Sequence, residues 1–316
     1  MKDKLDFNII DMKIYIKLLG LIMISGVAFT TACDKVEFPN VIITDLDTNL
    51  YPGNFIDYEY PTFDENTNTL RNVVIADYTG HQCPFCPPAA TIAEEIEDAQ
   101  PGRVFVATIH ASAEPGGAGS FQAVTEDFPR DFTNPQGLEM ASEFFNLGVG
   151  FGGNPRGNVN RVPFEEGQFF SFAVDWSEKT DEVLASTLDI NIQAKSNYYP
   201  ETDGVFLHVE TDIINDIEGT YNIVVYAIEN SFVSPQKLPD SSTDEDYVHH
   251  DIHIGNVYEE TWGRGIASEN TLGGTKISNE FTYEMPAGFT NEDMHFLILV
   301  FNRETYEIEQ VIKHEF

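Results

Sequence analysis

The chain has 316 residues and is strongly acidic, with 52 Asp and Glu against 17 Lys and Arg and a formal net charge of −35. That balance excludes a nucleic-acid binder, which needs clustered cations to release counterions, and a protein docked electrostatically on anionic membranes. The length suits two domains with proper cores, and 22% charged residues with a mean hydropathy of −0.22 give the chain a soluble character.

At the N-terminus, Lys13 and Lys17 precede an apolar run from Leu18 to Phe29, followed by Thr30-Thr31-Ala32-Cys33. A charged start, a short apolar stretch and small residues before a cut define a secretory signal, and the run is too short to span a bilayer. Asp3, Asp6 and Asp11 acidify the first stretch, so Met12 opens a more ordinary signal than Met1. The small residues before Cys33 resemble a bacterial lipobox. That resemblance implies that residues 1–32 are a lipoprotein signal peptide and that Cys33 becomes the first mature residue, carrying a covalent lipid. Cys83 and Cys86 then remain as a pair, with no odd thiol in an oxidising compartment. Residues 33–70, broken by Pro39, Pro52, Gly53 and Pro61, read as a tether and lead-in. Asp45, Asp47 and Asn49 match the start of a calcium loop, but Leu50 and Ile56 stand where that loop needs Gly and Glu.

The apolar, β-branched run Val73-Val74-Ile75-Ala76 predicts a buried strand. Pro87 and Pro88, then Ala89, Ala90, Ile92, Ala93 and Ile96 at helical spacing, predict a helix. Cys83-Pro84-Phe85-Cys86 lies between them. A helix N-terminus stabilises a thiolate and can lower a cysteine pKa from about 8.5 to roughly 3.5–7.5. A residue before proline avoids the helical region, so regular helix is expected to start near Pro88. Two readings of the pair stand open: a redox couple, or a permanently oxidised structural disulfide. Structural zinc needs four ligands, and no second Cys-x-x-Cys exists, so no metal is expected.

Residues 103–110 read as a second buried strand, and strand, helix and strand make a βαβ unit with parallel pairing. A loop over 113–120 and a helix over 136–145 follow. The glycines of 148–153 come after a helix rather than between a strand and a helix, so they read as a loop before a special proline, Pro155. Residues 156–163 read as a strand and 176–187 as a helix. From Leu188 the texture changes to strand-like runs at 188–194, 205–213, 221–228, 276–283 and 296–301 without helices between them, which predicts an antiparallel sandwich. The boundary is expected at 186–188. On a strand, His249, Asp251 and His253 would share one face as metal ligands do; the reading preferred is the polar face of an exposed strand.

The first half resembles a thioredoxin fold. Cys83-Pro84-Phe85-Cys86 is similar to the Cys-Pro-Tyr-Cys of glutaredoxins, Asp77 matches the buried acid of many thioredoxins, and Pro155 is the candidate for the cis-proline beside the dithiol. The mature chain also resembles the 28-kDa outer-membrane protein family of bacterial lipoproteins. The matching stretches are Asp77-Tyr78-Thr79-Gly80-His81-Gln82-Cys83-Pro84-Phe85-Cys86-Pro87-Pro88-Ala89-Ala90, Gly153-Asn154-Pro155-Arg156-Gly157-Asn158-Val159-Asn160-Arg161, Tyr247-Val248-His249-His250-Asp251-Ile252-His253 and Trp262-Gly263. This resemblance implies an α/β plus all-β chain: a thioredoxin-like domain over 71–187 and an antiparallel Ig-like β-sandwich over 188–316. It also implies a cell-envelope protein, lipid-anchored to the outer membrane, without a cofactor. In its redox form Cys83 attacks a partner protein's disulfide, Cys86 resolves with Asp77 as base, Pro155 positions the substrate and His81 tunes Cys83. In the competing form the protein is a surface binding or adhesion protein and Cys83–Cys86 is a staple.

Overall fold

In the computed structural model, residues 41–43 and 46–316 are described; the signal segment and Cys33 lie outside them. The elements in chain order are β1 (Val41–Ile43), β2 (Val73–Thr79), α1 (Cys86–Ala99), β3 (Val104–His110), α2 (Pro135–Leu147), β4 (Arg156–Val159) and α3 (Trp176–Leu184). Then come β5 (Ile190–Tyr199), β6 (Gly204–Ile213), β7 (Ile217–Glu218), β8 (Tyr221–Val233), β9 (Gln236–Lys237), β10 (Thr243–Asp244) and β11 (Val248–Asn256). The chain finishes with β12 (Arg264–Ala267), β13 (Asn270–Thr271), β14 (Lys276–Glu284), β15 (Met294–Asn302) and β16 (Ile308–His314).

An eight-stranded sheet organises these pieces, in the order β16-β15-β8-β11-β3-β2-β4, with β12 also paired to β8. β2 and β3 run parallel over their whole lengths, as a βαβ crossover requires. Side chains on a strand alternate between faces, and here both faces are apolar. Val74, Ala76, Tyr78, Phe105, Val224, Tyr226, Leu297 and Leu299 pack with Met140, Ala141 and Phe144 of α2. On the opposite face, Val73, Ile75, Val104 and Val106 pack on Ala89 and Ala93 of α1 and on Trp176 and Val183 at α3. Further along that face, Ile223, Val225, Phe296 and Ile298 pack on a four-stranded sheet, β1-β14-β6-β5, through Ile192, Leu207, Val209 and Phe281. The described residues are therefore mixed α/β, rich in sheet and poor in helix.

The expected boundary falls between α3 and β5. Strands from both sides of it share the large sheet, and residues Asn40–Phe316 form one compact unit. The change of texture has its physical counterpart at the junction of β3 and β11, where the ladder consists of the single pair Ile252↔Thr108.

Three local expectations are corrected. The helix expected from Pro88 begins at Cys86, with prolines in its first positions. N–H groups there have no intrahelical acceptor, so proline loses nothing, and this outweighs the pre-proline bias. The strand expected over 156–163 stops at Val159, because Asn160 and Arg161 take left-handed backbone angles, φ 47° and 53°. Asn160 is held there by Val74 N–H donating to its Oδ1 while its Nδ2 donates to the Asn72 and Ile308 carbonyls. The helix expected over 176–187 ends at Leu184. By contrast the helix expected over 136–145 is present as α2; Asn134 accepts from the Gly137 N–H at its start, and Gly148, φ 69°, closes its end.

Candidate functional site

The candidate residues Asp77, Cys83 and Cys86 lie at or beyond the carboxyl end of β2, which runs parallel to β3, the usual location of sites in open α/β sheets. β2 runs out through Thr79 into Gly80, where the chain must approach another segment closely. A Cβ on Gly80 would lie 2.8 Å from the Phe121 carbonyl oxygen. The turn closes with Cys83 N–H donating to the Gly80 carbonyl at 2.9 Å, and α1 begins at Cys86. Cys83 and Cys86 are joined as a disulfide. Each is only 1% exposed.

Asp77 lies under this turn, 1% exposed, and neither carboxyl oxygen has a hydrogen-bond partner. Burial, reinforced by the charge of Glu94 on α1, pushes its pKa up to about 7. Asp77 and Cys86 line one small cavity of about 20 Å³ together with Glu94, Tyr247, His250 and Asp251. That volume admits a single water molecule. The surrounding acids shift the same way: burial raises Glu94, takes Glu97 up to about 7, and takes Asp251 up to about 6.

A segment from the C-terminal half covers the pair. The Gln236 side-chain amide donates to the Cys83 carbonyl at 3.0 Å, and Lys237 N–H donates to the His81 carbonyl at 2.9 Å. Gln236, Tyr247 and Glu94 were not among the sequence candidates. More than 150 residues separate Cys83 from Gln236, and no local pattern marks such a contact.

The other candidates disperse. His81 is buried, bonds through Nε2 to the Ala123 carbonyl and stacks on Phe128, and burial lowers its pKa, so it is held in the aromatic packing. Pro155 follows a cis peptide bond. Its predecessor Asn154 donates to the carbonyls of Tyr78, Thr79 and Ala111, which ties the Pro155 loop to the ends of β2 and β3. His249, Asp251 and His253 do not gather as a ligand set, because Asp251 takes a left-handed backbone angle, φ 50°, and drops out of the strand register. His249 packs on Phe132, Asp251 acts on Glu97 of α1, and His253 accepts the Asn134 amide at its carbonyl while its ring lies against Tyr226. The polar-face reading of this strand needs correcting too, because His249 and His253 are buried. Among the described residues no group of His, Cys, Asp and Glu is arranged to hold a metal, and no helix is long and apolar enough to cross a membrane.

These features define a mixed α/β protein with a buried disulfide at the strand ends of its main sheet. The chain belongs to the Omp28 outer-membrane protein family, whose model matches residues 145–316. It is thus an outer-membrane protein of the cell envelope, as the resemblance implied. The match begins after the cysteine pair, so membership rests on the Pro155 segment and the strand-rich half. Among solved structures, HBP35 of Porphyromonas gingivalis aligns with a TM-score of 0.55 and 16% identity over 79% of this chain and 76% of its own. At that identity the likeness shows the fold alone. A protein of Agrobacterium tumefaciens aligns at 0.46 with 13% identity, over 77% of this chain and 93% of its own. A domain of the outer membrane lipoprotein Omp28 from P. gingivalis aligns at 0.27 with 19% identity, over 40% of this chain and 87% of its own. No curated protein matches.

Proposed function

We propose that this protein is a lipid-anchored outer-membrane protein, tethered at Cys33, whose thioredoxin-like half over 71–187 performs thiol-disulfide exchange at Cys83 and Cys86. Residues 188–316 are its Ig-like β half. The observation that carries this reading is Asp77: a fully buried carboxyl without a partner, in one cavity with Cys86. An unpaired buried carboxyl costs stability, and a permanent staple has no use for one. A base for a thiol does, and a pKa near 7 suits that task at neutral pH.

In the reduced protein the Cys83 thiolate attacks a substrate disulfide. One substrate thiolate leaves and a mixed disulfide forms. Asp77 takes the Cys86 proton across the cavity, and the Cys86 thiolate attacks the Cys83 sulfur. The second substrate thiolate leaves, the Cys83–Cys86 bond forms, and two electrons have passed to the substrate. Pro155 lies on the loop that would guide the substrate chain.

A second reading has its own support. Both cysteines are 1% exposed beneath Gln236, as a staple in a binding or adhesion protein would be. The reduction potential separates the two, together with a Cys86→Ala variant that traps mixed disulfides. A potential above about −230 mV with trapped partners supports exchange, and one below about −300 mV with nothing trapped leaves the staple.

A further inference from the structure

A second site lies far from the cysteines, on the four-stranded sheet. Its strands turn Val205, Leu207, Val209 and Phe281 into the core, so Phe206, His208 and Glu280 face the other way. The lead-in chain folds over that face. Tyr51, Phe55 and Tyr58 pack their rings on Phe206, and Tyr60 meets the His208 ring edge-on at 5.8 Å. Beside this aromatic layer is a pocket of about 370 Å³ lined by Tyr60, Pro61, Phe63, His208 and Glu280. That is the size of a small-molecule site.

The polar groups of the pocket form a chain with an open end. Tyr58 hydroxyl and His208 Nε2 are hydrogen-bonded, and His208 Nδ1 lies 3.5 Å from Glu280 Oε1. Burial lowers the His208 pKa, and the neighbouring Glu280 opposes that shift. The Tyr58 hydroxyl also donates to Asn197 Oδ1 at 3.2 Å, so Tyr58 joins the His208 ring to a second polar side chain. Glu280 is 7% exposed, yet its Oε2 has no partner. Arg264 donates to the Glu280 backbone carbonyl, and Lys195 sits over the Phe63 ring while donating to the Thr62 carbonyl. Among the described residues no Lys or Arg side chain lines this pocket.

We propose that this pocket binds a protonated primary amine, with Glu280 as counter-ion and the Tyr60 and Phe63 rings as walls. The missing partner of Oε2 is a donor, which an ammonium N–H supplies. Aromatic faces attract a cation and cover its alkyl chain. The charge of −35 draws cations toward the protein. A quaternary ammonium has the charge without the donor, and a sugar has donors without the charge.

Calorimetric titration of the full chain in detergent tests this with n-butylammonium, n-butanol, tetramethylammonium and methyl glucoside. The expected result is n-butylammonium binding with a Kd on the order of 1 mM, at least tenfold tighter than the other three. Glu280→Gln should weaken it about tenfold by removing the counter-ion. Tyr60 is 50% exposed, so Tyr60→Ala should leave the fold intact and still weaken binding several-fold. Equal binding of n-butanol overturns the proposal. So does preferred binding of methyl glucoside or tetramethylammonium, or an affinity for n-butylammonium that Tyr60→Ala leaves unchanged.

Discussion

The two ends of the large sheet are built differently. At β8 and β15 both faces are apolar over the central residues: Ile223, Val225, Phe296 and Ile298 point one way, and Val224, Tyr226, Leu297 and Leu299 the other. At β2 and β3 the α1 face starts apolar with Val73, Ile75 and Val104, then turns polar at Asp77, Thr79 and Thr108. The first end has its energy in packing. The second holds buried polar atoms without partners, including both Asp77 oxygens and both His110 ring nitrogens. Unpaired polar atoms oppose folding, so the dry end has to supply the stability that the strand ends of β2 and β3 draw on.

The largest effect should come from breaking the dry end. Phe296 is fully buried and stacks on Phe316. Phe296→Ala should cost about 3–5 kcal/mol in urea unfolding, from lost burial plus a cavity.

The polar end should respond to pH instead. Asp77 is raised from 3.8 to about 7, so between those values the native state holds a proton that the unfolded state has released. Stability contributed by the neutral acid is present below pH 3.8 and is lost as pH rises toward 7, by about 1.4 kcal/mol per pH unit. Asp77→Asn should remove that slope. The check is the difference between wild-type and variant unfolding free energies across pH 4 to 8.

His253 should give the opposite sign over a shorter span. Burial lowers it from 6.5 to about 4. Its contribution is complete above pH 6.5 and is lost as pH falls through 4, again by about 1.4 kcal/mol per unit. His253→Asn should flatten the acid limb of stability.

The smallest effect on stability should come from the cover over the cysteines. Gln236→Ala deletes the amide that donates to the Cys83 carbonyl. Reduction of Cys83–Cys86 by dithiothreitol should then run faster, roughly 3–10-fold if local opening limits attack. An unchanged rate would mean that Gln236 does not guard the pair.

Periodicity and punctuation in the sequence were enough to find β2, α1, β3, α2 and the long strands β5, β6, β8, β14 and β15, because burial forces apolar residues onto a period of two or 3.6. The ends of α2, capped by Asn134 and Gly148, came from the structure. The Cys83–Cys86 pair and Asp77 were legible for the same reason, since neighbours in sequence stay neighbours in a strand and a turn. The strand β16 was missed, and β11 was read as an exposed strand although His249 and His253 on it are buried. β11 carries polar residues that are buried only because other segments cover them, as Phe132 covers His249 and Asn134 covers His253. The sequence therefore determined local elements and the bonded pair. Tertiary structure alone decided that strands from both halves join one sheet, that Gln236 lies over Cys83, and that Tyr58, His208 and Glu280 meet. Each of those is a contact between residues far apart in the chain, set by which buried faces fit together and carrying no local period to read.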